Sequence, residues 1–195
     1  EPVVEPAAPE YVDLGLSVNW ATCNVGANNP EDYGYYLGWG EVEEKEWYSW
    51  SYYTHGTSKN SLTKYCKSDK IKILEAADDI ATATYGEGYR IPTKAEWQEL
   101  FDNCTADYSA QENGINGVRF TSNIDGYTDK SIFIPVGGKK QDDGILNQGS
   151  YGHYWTSECV SSFSMYYNAF LAEISILGSA GTANVERFYG HNVRA

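Results

Sequence analysis

One stretch of the chain, residues 88–100, most constrains what the rest can fold into. Pro92 disfavours a helical backbone at Ile91, so an extended segment must end there. Thr93 can accept from the free amides of a following helix, and Glu96 stands three residues later, where it can reach back to the Thr93 amide. The pattern therefore predicts a short buried strand that turns directly into a helix with a capping box.

Apolar residues after this cap recur at the spacing of one helix face. They stand at i, i+3, i+4 and i+7, namely Trp97, Leu100, Phe101 and Cys104. A first helix is predicted over residues 71–85, with Gly86 as its C-terminal cap. Strand patterns occupy residues 14–20, 33–41, 118–122, 131–135, 154–157, 170–176 and 192–194. Turns are predicted at Asn113-Gly114 and Asn116-Gly117. Two helices followed by many short strands predict an α+β fold.

Composition limits the partners that this fold can have. The 195 residues include 17 tyrosines and only one methionine, and 42% are hydrophobic, which suits one globular domain. The net charge of −13 argues against nucleic acid and against an anionic membrane surface, because both require a basic face. No apolar run approaches the roughly 18 residues that span a bilayer.

The beginning of the chain differs from the rest. Residues 1–9 contain three of the six prolines, so residues 1–10 are predicted to be an extended spacer and residues 11–195 the folded domain. No secretion signal stands in this segment, and we expect any targeting segment to precede Glu1. Two roles remain open for the spacer: a tether to an outer surface through a lipidated cysteine upstream, or a linker between domains.

No catalytic or metal-binding pattern stands out, so no catalytic residue, metal ligand or cofactor is predicted. The histidines are scattered, and the adjacent acids Asp78-Asp79 and Glu43-Glu44 are interpreted as solvated charges. The stretch 142–144 could bind a structural Ca²⁺, but an Asx turn is the preferred interpretation. The four cysteines fit no zinc pattern. Cys23 and Cys104 are interpreted first as small buried residues, and Cys23–Cys104 is the first candidate if a disulfide forms.

The run Arg90-Ile91-Pro92-Thr93 with Glu96-Trp97 also carries a family resemblance. Further matching blocks follow in the same order along the chain, at residues 11–27, 33–41, 78–81, 99–105, 131–135, 152–157 and 190–194. Together these blocks resemble the Fibrobacter succinogenes major paralogous domain, which is common in surface proteins of gut Bacteroidetes and is related to the formylglycine-generating, sulfatase-modifying enzymes. The resemblance implies a C-type-lectin-like fold, with two helices packed on short, mostly antiparallel twisted sheets.

The resemblance also indicates where a ligand would bind. The formylglycine-generating relatives use two cysteines near the C-terminal end, where this chain has only Cys159, and the Ca²⁺-dependent sugar motifs of true C-type lectins are absent. In similar proteins the region between Trp155 and Val193 varies and displays ligand-contacting side chains. Tyrosine, serine and asparagine in this region are typical of adaptable binding surfaces. The candidate ligand-binding residues are Tyr166, Tyr167, Asn168, Arg187, Tyr189 and His191. A packing role for Tyr166, Phe170 and Phe188 is the alternative.

These observations favour a non-catalytic ligand-binding or adhesion module for a glycan or a protein. We expect it to be exported, either as a cell-surface or outer-membrane lipoprotein or in secreted form, with membrane contact only through the N-terminal anchor. The alternatives are a degenerate sulfatase-modifying-type enzyme and a structural tip or cap of a surface assembly. An enzyme should show a pocket with clustered titratable groups, and a binding module should show exposed aromatic rings. A structural cap should show an open sheet edge.

Overall fold

A computed structural model describes residues 8–162 and 164–195, and the fold in these ranges is α+β, as predicted. The described part contains two helices and four small antiparallel sheets, joined by long irregular segments. The elements are β1 (Tyr11–Val12), β2 (Trp20–Ala21), α1 (Ile80–Tyr85), α2 (Lys94–Asn103), β3 (Cys104–Asp107), β4 (Gln111–Glu112), β5 (Ile115–Ser122), β6 (Ser131–Pro135), β7 (Lys139–Gln141), β8 (Gly144–Leu146), β9 (Tyr151–Cys159), β10 (Asn168–Ser175) and β11 (Ser179–Glu186). The sheet orders are β1-β2, β3-β5-β4 with β6 on β5, β7-β8, and β11-β10-β9.

Helix α2 begins with the predicted capping box. The Thr93 hydroxyl accepts from the Glu96 amide at 3.2 Å, and the Glu96 carboxylate accepts from the Thr93 amide at 2.7 Å. Both backbone donors are thereby satisfied at the exposed helix end. Trp97 and Leu100 are completely buried, so the predicted apolar face is confirmed.

The strand predicted before this helix is absent, and the first helix is shorter than predicted. Residues 89–91 are extended, but the Ile91 amide donates to the Asp79 carboxylate at 2.8 Å instead of joining a ladder. The same carboxylate caps α1 by accepting from the amides of Ala81 and Thr82. Asp79 is therefore buried, not a solvated charge, and burial raises the pKa of its carboxyl. The helix has six residues because residues 72–74 instead pair with the end of β9.

The later strand predictions hold better than the early ones. Strand β6 covers the predicted residues 131–135. Strands β5 and β9 contain the predictions 118–122 and 154–157, and β10 contains all of 170–176 except Ile176. Asn113 and Gly114, both with positive φ, form the two-residue turn between β4 and β5. The turn predicted at residues 116–117 lies inside β5 instead.

The strands predicted at 14–20, 33–41 and 192–194 are wrong, the last two for a common reason. Only Trp20 of the first lies in a strand, β2, and the other two segments form isolated bridges. Their backbone groups bond to each other across the fold, for example Leu37 N to His191 O at 2.9 Å and His191 N to Leu37 O at 3.0 Å. The end of the chain is thus inserted between early segments, so neither forms a continuous ladder.

The interior has two parts. The helix core consists of Leu14, Trp20, Trp97, Leu100, Cys104, Val118, Phe120, Ile132, Ile134, Val136, Tyr154, Ala172 and Ile174. The loop core consists of Ala21, Val25, Leu37, Trp39, Tyr65, Ile80, Ala81, Ile91, Trp155, Cys159, Ala169, Leu171, Val193 and Ala195. Strands β9 and β10 contribute side chains to both.

All four cysteines are free, so the candidate pair Cys23–Cys104 forms no disulfide. Cys104 packs inside the helix core at the start of β3, where burial raises the pKa of its thiol to about 11. Cys23 is buried elsewhere, beside Thr22 and the cavity that Ala8 and Pro30 help to line. Both thiols therefore act as small buried residues.

Of the predicted spacer, residues 1–7 lie outside the described residues. The next residues are held against the domain: the Tyr89 hydroxyl donates to Pro9 O at 2.7 Å, and the Thr22 amide donates to Glu10 O at 2.8 Å. Among the helices of the described chain, none has the length and apolar character needed to cross a membrane.

Candidate functional site

The six predicted ligand-binding residues come together at one end of the β9–β10–β11 sheet. Tyr166 and Tyr167 lie in the β9–β10 connection, and Asn168 begins β10. Arg187, Tyr189 and His191 follow directly after β11. The Arg187 amide donates to Tyr167 O, which places the two segments side by side. Phe163, in the same connection, is outside the described residues.

Arg187 lies beneath this surface instead of on it. Its side chain is completely buried, with the guanidinium 4.8 Å from the Trp39 ring. It donates to the carbonyl oxygens of Tyr166 and Asn168. The expectation that Arg187 displays its side chain to a ligand is therefore corrected: it fixes the β9–β10 connection from below. Its Nη1 has no hydrogen-bond partner within the described part of the chain.

His191 and Asn168 are also interior residues. The His191 ring stacks on Trp155 with centroids 4.2 Å apart, and neither ring nitrogen has a hydrogen-bond partner in the described ranges. Complete burial, together with the nearby His153 and Lys139, lowers the pKa of His191 well below its usual value. Asn168 is also buried, and its side-chain amide donates to Asn184 Oδ1 at 2.8 Å. The expected surface positions of both side chains are corrected in the same way.

The three tyrosines remain half-exposed, as a ligand contact requires. Tyr166 and Tyr167 meet edge to face at 5.9 Å, and the Tyr189 ring lies 4.3 Å from that of Phe188. Phe188 is also half-exposed and extends this surface towards the early part of the chain. Tyr189 in turn lies over the buried His191 ring at 6.1 Å.

Trp50 is a member of this surface that the sequence interpretation missed. It lies in a short 3-10 turn, Trp50–Tyr52, and its ring is 5.4 Å from Phe188. The signal was present as the aromatic density of residues 42–68. A long segment so rich in aromatic residues is typical of a self-packed loop, and this interpretation is right for the buried Tyr48, Tyr53 and Tyr65. We call Trp50, Tyr166, Tyr167, Phe188 and Tyr189 the aromatic rim.

Each rim tyrosine has a lysine beside its ring. Lys67 Nζ lies 4.1 Å from the Tyr166 centroid, and the corresponding distances are 5.7 Å for Lys59 and Tyr167 and 4.7 Å for Lys139 and Tyr189. An ammonium within about 6 Å of an aromatic face is attracted to the ring. The rim therefore combines apolar faces with positive charge.

A separate cavity of about 300 Å³ contains clustered titratable groups, which is the feature expected of an enzyme. Several of these groups are already paired: Glu41 accepts from Lys45 and from the Thr54 amide, and His55 Nε2 donates to Gly40 O at 2.7 Å. Asp78 also lines the cavity. Burial alone would raise its pKa, but hydrogen bonds from Lys64 and Tyr65 lower it overall. These contacts hold the long segment 42–68 in place.

The stretch considered for Ca²⁺ forms a hairpin turn. Asp142 has a positive φ of 54° between β7 and β8, and its backbone N and O both bond to Tyr48. Within residues 8–162 and 164–195, no three His, Cys, Asp or Glu side chains are grouped as a metal site would require. The proposed absence of a cofactor stays a prediction.

Comparison with known protein families yields no matching family, and neither the curated proteins nor the solved structures include a match. The family resemblance therefore stays a prediction that rests on the residues themselves.

Proposed function

We propose that this protein is a non-catalytic recognition module at the cell surface, which binds a glycan through the aromatic rim. In this proposal the chain has the C-type-lectin-like fold of the Fibrobacter succinogenes major paralogous domain. The observation that carries the proposal is the set of half-exposed rings held over a rigid, buried support.

The arrangement of elements is consistent with the proposed fold. Two helices precede the larger antiparallel sheets, and the chain end returns to the beginning, with the Ala21 amide donating to Ala195 O at 2.9 Å. Arg194 reinforces this closure by donating to Asn24 Oδ1 and to the carbonyl oxygens of Ala21 and Phe133. Closing the domain in this way leaves long connections free to form a binding surface.

The rigidity of the rim supports binding. Arg187 holds the backbone of residues 166–168, and the stacked pair His191 and Trp155 lies beneath Tyr189. Rings that are fixed before binding lose little conformational entropy when a ligand arrives. Their apolar faces can stack on the carbon-bound hydrogens of a sugar ring, while the tyrosine hydroxyls offer hydrogen bonds.

One observation favours the structural-cap alternative. Strand β11 pairs only with β10 in the described chain, so one edge of this eight-residue strand is open, and its sole charged residue is Glu186. An uncharged open edge can accept a strand from another chain. This edge is formed by small side chains and is separate from the rings of the rim.

The test of the recognition function is alanine substitution in the rim, read on a glycan array. Tyr167→Ala and Tyr189→Ala are each expected to weaken glycan binding by about tenfold, since each removes a stacking face. Tyr127→Ala is the matched control, because Tyr127 is also half-exposed but packs over Gly15 at the β5–β6 connection. Unchanged binding by a folded double variant, or the absence of any glycan ligand for the native protein, would contradict the proposal.

A further inference from the structure

The aromatic rim borders the most basic segment of an acidic protein. Residues 59–72 contain five lysines and one aspartate, a net charge of 5 − 1 = +4, while the whole chain carries 14 − 27 = −13. The remaining 181 residues therefore carry −17 in total. We call residues 59–72 the basic segment. Such a concentration of positive charge in an otherwise acidic protein selects for partners by charge.

We propose that the ligand of the rim is an anionic glycan, whose carboxylate or sulfate groups bind the lysines of the basic segment while its sugar rings stack on Tyr166 and Tyr167. This inference rests on the proposed recognition function and names the class of ligand.

The basic segment lies directly against the rim. Lys67 and Lys59 contact the rings of Tyr166 and Tyr167, at 4.1 Å and 5.7 Å from the respective centroids. Lys72 lies at the base of the β9–β10 connection, because its carbonyl oxygen accepts from the Cys159 amide at 2.9 Å. The charged groups and the stacking faces are thus close enough to meet one ligand together.

The charges of this segment are only partly neutralised within the protein. Lys64 forms ion pairs with Glu75 and Asp78, both at 2.6 Å. In the described ranges, no carboxylate oxygen lies within 4.0 Å of the ammonium nitrogens of Lys59, Lys70 and Lys72, the distance that an ion pair requires. A tyrosine ring attracts an ammonium but does not cancel its charge, so Lys59 remains available to an anion.

Besides Glu75 and Asp78, two further acidic residues lie near the basic segment, and both accept from backbone amides. The Asp69 carboxylate accepts from the amides of Cys66 and Ile71, at 3.1 Å and 2.9 Å, and so closes a turn within the basic segment. Glu158 on β9 accepts from the Lys94 amide at 2.7 Å, at the start of α2. In the described ranges, neither carboxylate forms an ion pair with Lys59, Lys64, Lys70 or Lys72.

The surroundings also limit the length of the ligand. A lysine ammonium is a compact point charge that suits a carboxylate or a sulfate. A long polyanion would extend past the basic segment onto the acidic remainder of the surface and be repelled there. The attraction should weaken with salt, because the Debye length falls from about 10 Å at 0.1 M to about 3 Å at 1 M. Because of the acidic surface around the basic segment, the structure favours a glycan whose anionic segment is short or terminal.

The experiment compares four probes by calorimetry at low and high salt. They are an oligogalacturonate of defined length, the same oligomer with its carboxylates methyl-esterified, a sulfated oligosaccharide of similar length, and a polyglutamate peptide. We expect the esterified oligomer to bind at least about tenfold more weakly than the free acid, since only its charge has been removed. The sulfated probe shows which of the two anionic groups is preferred.

Lysine variants locate the interaction on the protein. Lys59→Gln and Lys67→Gln are each expected to weaken oligogalacturonate or sulfated-oligosaccharide binding about threefold at low salt, and the double variant about tenfold. Lys130→Gln is the matched control, because Lys130 is an exposed lysine on the β5–β6 connection, outside the rim. The difference between the double variant and the control should shrink at high salt.

Several results would overturn the inference. These are equal binding of the free and esterified oligomers, unchanged binding by the double lysine variant, no binding of either anionic glycan, or tighter binding of polyglutamate. If the rim alanine variants lose a neutral glycan while the lysine variants do not, the charge inference fails and the recognition function stands. If the rim variants keep full binding of every glycan, the recognition function itself fails.

Discussion

The helix core and the loop core are held together by different means. In the helix core, α2 packs against consecutive strands such as β5 and β6, whose backbone groups satisfy one another along ladders. In the loop core, single hydrogen bonds join irregular segments, such as those from the indole nitrogens of Trp39 and Trp155 to Thr156 O and Leu37 O. Completely buried polar residues lie in or beside this second core, including Arg187, His191 and Asn192.

The difference shows why the candidate site lies where it does. Irregular backbone cannot satisfy its own amides and carbonyls, so buried side chains must do so, as Asn192 does by donating to Tyr33 O and Tyr35 O. Such segments can place large rings at the surface without following the alternation of a strand. The aromatic rim belongs to this half, where Arg187 and the stacked pair His191 and Trp155 support it.

The largest effect is expected in the helix core. Trp97→Ala should lower the free energy of unfolding by about 3–5 kcal/mol, because it leaves a cavity among Trp20, Phe101 and Tyr154. Urea denaturation would measure the loss. Trp97→Phe should cost less, since the Trp97 indole nitrogen has no acceptor in the described part of the chain. Equal costs for the two variants would indicate that packing volume does not dominate this core.

A smaller but still large effect is expected where the chain end closes the fold. Arg194→Met should cost about 3 kcal/mol, because Asn24 Oδ1 and the carbonyl oxygens of Ala21 and Phe133 lose their donor. Denaturant titration of Arg119→Met, which breaks a half-exposed ion pair with Glu112, supplies the comparison, and its cost should stay below about 1 kcal/mol. Similar costs for the two variants would show that Arg194 does not hold the irregular half in the way described.

The smallest effect is expected in the loop core, where His191 should make the stability of the protein depend on pH. Burial lowers the pKa of His191 in the folded protein, so the unfolded chain binds its proton more readily. The stabilising effect of a neutral His191 is complete above the unfolded pKa of about 6.5, and it declines as the pH falls below that value. The decline is at most about 1.4 kcal/mol per pH unit for one group.

His191→Phe isolates this contribution, because phenylalanine retains a ring against Trp155 but has no titratable nitrogen. The unfolding midpoint of the native protein should fall relative to that of the variant as the pH is lowered from 7 to 5. His153 stays in both proteins, and burial lowers its pKa as well. A constant difference across this range would rule out His191 as a titrating group in the loop core.

The predictions that held rest on patterns that act over a few residues. The capping box joins Thr93 to Glu96, and the two-residue turn needs only Asn113 and Gly114 with positive φ. Strand β6 coincides with a compact apolar run. Where a long-range contact competes with such a pattern, the prediction failed. Residues 71–79 carry a helical pattern, but Leu74 is bonded to Ser157 at the end of β9 and Asp79 to Ile91.

The region of the candidate site was predictable, but not the position of each side chain. Tyrosine, serine and asparagine after β9 indicated a binding surface, and Tyr166, Tyr167 and Tyr189 do reach the exterior. Arg187 and His191 resemble surface residues in the sequence because arginine and histidine are polar. Their burial depends on Trp39 and Trp155, which belong to distant parts of the chain.

The sequence by itself determined the α+β class, the capped helix α2 and the late strands, because capping, turn and alternation signals act between near neighbours. Only the tertiary structure decided which residues form the surface of the site. Arg194 meets Asn24 across 170 positions, and no local pattern encodes a contact of that range. The meeting of the basic segment with the aromatic rim has the same origin, since each lies in an irregular connection whose course is set by what it packs against.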